Sequence, residues 1–187
     1  MNGQQHLFLT VFPEGYQGYA IDVGANDGTF LSNTLALEQI GWRVLCIEPN
    51  PLYAPVLWRD RKDVVICAAG AKQERKTFYT YLTANNEFAS KSGLLVQPGD
   101  RPLHSFPVSV EPLDLLLDVW KPPQLDLLTI DVEGTEEDVL RGFDIARWLP
   151  KIICVEDLQR TQRLGNLLTP HGYKFHSCFN DDEVYIR

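Results

Sequence analysis

The chain has no excess of positive charge. Its 17 lysines and arginines stand against 25 aspartates and glutamates, a formal net charge of −8 at pH 7. A general nucleic-acid binder neutralises phosphates with a basic surface, so the balance argues against that class. No apolar run is long enough to span a bilayer. The apolar patch Leu7-Phe8-Leu9-Thr10-Val11-Phe12 is short and lacks a basic leader, which argues against a secretory signal. There is no Cys-x-x-Cys: Cys46, Cys67, Cys154 and Cys178 are widely spaced, and three of them sit in apolar, strand-like runs. They read as reduced thiols of a cytoplasmic protein, not as zinc ligands. Internal repeats, low-complexity tracts and linkers are missing, as are a nucleophile elbow and a Cys–His signature. What is left reads as one domain over residues 1–187, and a hydrophobic content of 44 % is enough to give it a core.

The most informative stretch is Ile21-Asp22-Val23-Gly24-Ala25-Asn26-Asp27-Gly28. Ala20, Ile21 and Val23 form a short apolar run ending in a glycine turn, the pattern of a buried parallel strand. From Thr29 onward, Phe30, Leu31, Leu35, Leu37 and Ile40 follow helical spacing, and Gly41 is a natural stop. This places the turn between a strand's carboxyl end and a helix's amino end, where nucleotide-like ligands bind in open α/β sheets. The turn is not the dinucleotide fingerprint Gly-x-Gly-x-x-Gly. Asn26 holds the second glycine place, and Asp27 stands where pyrophosphate would approach. A ligand without phosphate, or with positive charge, fits better. S-adenosylmethionine, a nucleoside carrying a sulfonium and an amino acid, is of that kind.

Trp42 to Glu48 reads as a second buried strand ending in a carboxylate and closed by Pro49-Asn50-Pro51. An acid there suits a ribose diol, because a carboxylate accepts two hydroxyl hydrogen bonds at once. Asp63 to Gly70 reads as a third strand whose small Ala68 and Ala69 let an adenine ring lie against the backbone. Lys76 to Thr83 is β-rich, and residues 84–107 are the least regular region and the candidate substrate loop. Val108 and Val110 suggest a short strand, and Leu113 to Trp120 a short helix. Leu125 to Gly134 is a buried strand finishing with two acids, Asp131 and Glu133. Thr135 with Asp138 imitates a capping box for the next helix, where Glu136 and Glu137 read as surface acids. Residues 151–156 form a fifth strand ending at Glu156, with Asp157 behind it. Leu158 to Pro170 reads as helix, and Gly172 to Ser177 with Asp182 to Ile186 as a closing hairpin. Residues 1–18 are a poorly patterned lead-in.

On IDVGANDG (21–28), IEPNP (47–51), Ser-x-Ser-Gly-Leu-Leu (90–95), LDLLTIDVEGTEEDVLRGF (125–143) and the strand ending at Glu156, the chain resembles the FkbM family of S-adenosylmethionine-dependent methyltransferases. The likeness runs from about residue 20 to the end. It implies a class I methyltransferase-like (Rossmann-like) α/β fold: a seven-stranded, mostly parallel sheet with helices on both faces and a C-terminal antiparallel hairpin. It implies an enzyme that methylates a hydroxyl of a small-molecule, sugar or glycolipid-type acceptor, with S-adenosylmethionine as cofactor. By the resemblance, Asp22, Gly24, Ala25, Asn26, Asp27, Gly28 and Thr29 line the methionine side of that cofactor. Glu48 then holds the ribose with Pro49 and Asn50 beside it, Ala68 and Ala69 flank the adenine, and Asp131 borders the methyl. Two features depart from the family. Its common lysine before Ile-Asp-Val-Glu-Gly is Thr129 here, and its members tend to carry more chain before the first strand. That leaves the site open, or closed by loop 84–107 or by a partner subunit.

Methyl transfer requires alignment of oxygen, carbon and sulfur and exclusion of water, and an alcohol must also lose a proton. Asp131 and Glu133 are the candidate catalytic residues; the bland alternative is that they cap the following helix. His104 and Glu156 are further candidates on the substrate side. Asp131, Glu156 and Asp157 are hard-oxygen donors of the type magnesium takes, but acidic strand ends are common and no metal is assigned. Two other readings stay open. One is an NAD(P)-dependent enzyme on a similar sheet, against which the acidic turn counts. The other is a catalytically silent S-adenosylmethionine-binding domain that serves a partner. The acceptor and the oligomeric state are not written in these motifs.

Overall fold

The computed structural model describes residues 3–81, 92–96, 101–158 and 162–187. In chain order its elements are α1 (Gly3–Val11), β1 (Tyr19–Val23), α2 (Leu35–Gln39), β2 (Arg43–Ile47), α3 (Ala54–Asp60), β3 (Asp63–Val65), β4 (Ala68–Ala69), β5 (Glu74–Thr80), β6 (His104–Glu111), α4 (Leu113–Trp120), β7 (Leu127–Ile130), α5 (Glu136–Arg141), α6 (Ile145–Trp148), β8 (Ile152–Glu156), α7 (Gly165–Leu168), β9 (Lys174–Phe179) and β10 (Asp182–Ile186).

A seven-stranded sheet runs in the order β3-β2-β1-β7-β8-β10-β9. The first five are mutually parallel, and β10 is antiparallel to both β8 and β9, which makes the expected closing hairpin. All four residues of β7 and all five of β8 are buried. Such strands are largely apolar because both sheet faces are covered. Alternate residues serve opposite faces. Ile21, Val23, Leu128 and Ile130 pack with Leu113 and Leu117 of α4 and Val139 and Leu140 of α5. Ala20, Val44, Cys46 and Leu127 pack on the other side with Phe8 of α1, Leu37 of α2 and Leu57 of α3. Each large aliphatic side chain fully buried this way contributes roughly 1.5–3 kcal/mol.

The chain builds β1, β2 and β3 outward in one direction and then returns to lay β7 on the other side of β1. The strand order therefore switches between β1 and β7. Crevices of open α/β sheets form at the carboxyl ends of strands flanking such a switch. Val23-Gly24 and Ile130-Asp131 are those ends, held side by side by the Asp131 N–H donating to the Val23 carbonyl at 2.9 Å.

Several local expectations are corrected. No helix starts at Thr29: Phe30 and Leu31 are 66 % and 73 % exposed, and α2 begins only at Leu35. Asp27 Oδ1 accepts from the Thr29 and Phe30 N–H groups, and Ser32 Oγ from those of Thr34 and Leu35. Side-chain bonds of this kind compete with the helical ladder. The strand expected over 63–70 divides into β3 of the main sheet and β4 of a second sheet, ordered β4-β6-β5. Residues 104–107, placed in the loop from sequence, belong to β6, while 84–91 and 97–100 lie outside the described residues. The helix expected over 158–170 is confined to α7 and a 3₁₀ turn, Thr169–His171, with 159–161 outside the described residues. The lead-in contains α1, whose Phe8 is fully buried. The capping box is not made: the buried Thr135 hydroxyl has no partner among the described residues, and Glu136, only 2 % exposed and no surface acid, accepts from the Gly134 N–H. Among the described residues no helix is long and apolar enough to cross a membrane.

Candidate active site

A cleft open to solvent lies at the switch point. The turn Gly24-Ala25-Asn26 forms its base, with Asp22 and Val23 below. Gly24 cannot be replaced there: its φ is +85°, and a Cβ would stand 1.7 Å from the Asp131 carbonyl oxygen. Asn26, at φ 54°, adopts the left-handed conformation that asparagine tolerates better than most residues. Ile47, Glu48 and Pro49 make one wall, Ala68, Ala69 and Phe78 a second, and Asp131, Val132 and Glu133 a third. A backbone bridge between Tyr79 and Gly93 brings Ser92, Gly93 and Leu94 to the cleft, and Phe30 to Asn33 line it as well.

Glu48 is 5 % exposed. Its Oε2 accepts from the Asn26 N–H at 2.9 Å and its Oε1 from the Asn50 N–H at 2.8 Å. Burial outweighs these bonds and, with the nearby Asp22 charge, pushes its pKa up to about 7. A carboxylate offers about four acceptor sites, so two remain for a ligand.

Asp22 serves two ends at once. It lines the cleft, yet its oxygens accept from the hydroxyls of Thr34 and Thr129. The Arg61 guanidinium, with no side-chain exposure, lies 3.9 Å from Asp22, pairs with Glu38 and donates to the Gly28 carbonyl and the Thr34 hydroxyl. Thr129, the departure from the family's lysine, thus supplies a donor to the buried acid.

The third wall is different. Asp131 is open to water through the cleft but otherwise enclosed by protein. Burial and then the charges of Asp182, Glu133, Glu136 and Asp22 raise its pKa. Burial and then Asp131, Glu133, Glu136 and Asp182 raise that of Glu156. One carboxylate oxygen from each of Asp131, Glu133 and Glu156 lies within 4.8 Å of the others.

Of the residues read from sequence as site residues, the structure gathers Asp22, Gly24, Ala25, Asn26, Glu48, Pro49, Ala68, Ala69, Asp131 and Glu133 around one cleft. Asp27, Gly28, Thr29 and Asn50 are not on its wall. Asp27 braces the loop, and Thr29 donates to it. Gly28 gives room to Leu57 and Arg61, where a Cβ would come within 2.8 and 2.9 Å. The Asn50 Oδ1 accepts from the Leu52 N–H. His104 is exposed at the start of β6, and Glu156 is buried behind Asp131 rather than on the cleft wall. Sequence reasoning missed the apolar contributors Phe30, Leu31 and Phe78, the supporting Thr34 and the cation Arg61. Ser92, Gly93 and Leu94 were signalled only by motif.

The pattern of the methyltransferase FkbM domain matches residues 22–175. The chain belongs to the FkbM methyltransferase domain family. Among solved structures it is similar to methyltransferase FkbM from Methylobacillus flagellatus KT, at 19 % identity and a TM-score of 0.58, over 91 % of this chain and 44 % of that one. At that identity the likeness speaks for the fold alone, and the chain spans less than half of that relative's length. It also matches a TehB-like SAM-dependent methyltransferase from Corynebacterium glutamicum ATCC 13032 Kitasato, at 13 % identity and TM-score 0.48, over 100 % of this chain and 88 % of that one. A third match is the C-terminal domain of precorrin-6Y C5,15-methyltransferase from Rhodobacter capsulatus, at 13 % identity and TM-score 0.47, covering 97 % and 85 %. No curated protein sequence matches the chain. In this FkbM-family chain the matched span begins at Asp22 and takes in every wall of the cleft.

Proposed function

We propose that residues 1–187 act as one S-adenosylmethionine-dependent methyltransferase domain that methylates a hydroxyl of a small-molecule, sugar or glycolipid-type acceptor. One observation carries this reading. In a chain of this family, the glycine turn after β1, the acid after β2 and the acid after β7 meet at a single cleft on the sheet's switch point. The residues fit the cofactor. Glu48 has unused acceptor capacity for a ribose diol, Ala68 and Ala69 leave a flat place for adenine, and carboxylates favour a sulfonium.

When bound, S-adenosylmethionine supplies a methyl on positive sulfur, which departs as a neutral thioether while the acceptor oxygen takes the carbon. The protein's work is alignment, exclusion of water and removal of one proton. Glu48 fixes the nucleoside end. Asp131 or Glu133 accepts the hydroxyl proton as the oxygen–carbon bond forms. A raised carboxylate pKa makes Asp131 a stronger base than an isolated aspartate. Phe30, Leu31 and Leu94 at the mouth keep water from the reacting line and favour an acceptor with an apolar part. The unbridged thiols, three of them buried, fit a reducing cytoplasm.

Calorimetry with S-adenosylhomocysteine, S-adenosylmethionine and NAD tests the reading. The first two bind and NAD does not; the reverse would replace this reading with the oxidoreductase one. Single-turnover transfer of labelled methyl to an extract then separates the enzyme from a silent binder.

A further inference from the structure

Helix α1 buries amides where an amphipathic helix buries aliphatic side chains. Gln4, Gln5 and Phe8 share one face by the helical period, and they are the buried residues of α1. Gln4 is 5 % exposed and Gln5 8 %. A buried amide is costly unless it is hydrogen-bonded, whereas an aliphatic side chain of similar size is buried without that demand. Stability alone does not call for two glutamines here, so what they hold is informative.

Both reach the surroundings of the cleft. The Gln5 side-chain N–H donates to the Ser32 carbonyl at 2.5 Å. Ser32 lines the cleft together with Phe30, Leu31 and Asn33, in the loop between β1 and α2. The Gln4 side-chain N–H donates to the Asp182 carboxylate. Asp182 opens β10 in register with Glu156, and after burial its charge raises the pKa of Asp131 on the cleft wall. The rest of α1 is anchored between these points. Phe8 shares a core cluster with Ala20 of β1, Leu127 of β7, Cys154 of β8 and Val184 of β10. A Cβ on Gly3 would stand 2.7 Å from the Phe179 ring of β9. The helix therefore ties the cleft-lining loop before α2 to the closing hairpin.

We propose that Gln5, with Gln4 beside it, is a positioning residue for the cleft: α1 straps loop 30–33 to the β10 side, and docking of α1 and binding of the S-adenosyl nucleoside favour one another. A wall already held in place loses less conformational freedom when a ligand settles on it. Coupling of this kind is reciprocal, so a ligand in the cleft also holds α1 down. The choice of ligand rests on the methyl-transfer reading.

The test combines amide hydrogen exchange with calorimetry, using S-adenosylhomocysteine. Saturating ligand slows exchange of the α1 amides in wild type by about fivefold or more. Gln5→Met keeps the size and helix propensity of the side chain and removes its donor. It weakens S-adenosylhomocysteine by about fivefold, while the unfolding temperature stays within a few degrees of wild type. A purely structural glutamine would do the reverse, lowering the unfolding temperature and leaving the affinity of the folded protein unchanged. Should Gln5→Met not fold, wild-type exchange with and without ligand decides alone. Unchanged α1 exchange at saturation, or Gln5→Met binding within about twofold of wild type, overturns the strap. Failure of S-adenosylhomocysteine to bind wild type overturns the methyl-transfer reading and the strap with it; binding without a response in α1 overturns the strap only.

Discussion

Asp22 lies in β1 and Asp131 just past β7, side by side in the same sheet, yet the protein surrounds them in opposite ways. Asp22 receives two hydroxyl donors and has a buried guanidinium 3.9 Å away. Asp131 faces Glu133, Glu136, Glu156 and Asp182. The first acid is compensated from within and braces the turn. The second stands among other acids on the cleft wall. A strand-end carboxylate therefore does not declare its role by position; the groups around it decide whether it is a strut or a site.

The comparison breaks most severely at Arg61. Arg61→Ala leaves Asp22 and Glu38 buried without their cation and is expected to destabilise the protein by about 3–5 kcal/mol, read by urea unfolding. A loss below 1 kcal/mol would mean that the strut side is not held by charge.

Glu48 stands between the two regions, anchored by backbone donors yet open to the cleft. Glu48→Ala should weaken S-adenosylhomocysteine by about tenfold or more in calorimetry. The pH dependence sharpens this. Glu48 is protonated below about 7, and ribose hydroxyls favour the carboxylate, so affinity rises from pH 6 to pH 8 in wild type. Glu48→Gln removes the part of that rise that Glu48 contributes.

On the acidic side the sign of a mutation reverses. Glu156→Gln should stabilise the protein by on the order of 1 kcal/mol at pH 8. The folded-state pKa of Glu156 is raised, so its ionisation costs stability as pH climbs above the ordinary carboxylate range. At pH 4, where both side chains are neutral, the gain should vanish. Destabilisation at pH 8 would place Glu156 among the struts.

The smallest effect is expected at His104. His104→Ala should leave cofactor affinity and turnover within about twofold of wild type, because the side chain is exposed and off the cleft wall.

The parts of this arrangement that were legible in sequence are those governed by local pattern. Buried parallel strands write themselves as apolar runs, so β1, β2, β7 and β8 and the acids at their ends were readable. The capped loop after Gly28 was not, because Phe30 and Leu31 keep helical spacing while facing outward at the cleft mouth. Arg61 gave no signal: it ends α3, 39 positions after Asp22, and only packing brings them together. The second sheet was hidden because β4 is two residues long and finds its partner β6 across some forty positions. Grouping Glu156 with Glu133 rather than Asp157 likewise depended on side-chain direction, which strand period alone did not fix.

The most direct test of the account is a crystal structure with S-adenosylhomocysteine. It should show the ribose hydroxyls on Glu48, the adenine against Ala68 and Ala69, and the sulfur directed toward Asp131. Density for that ligand outside the cleft, or a ribose with no contact to Glu48, would contradict it.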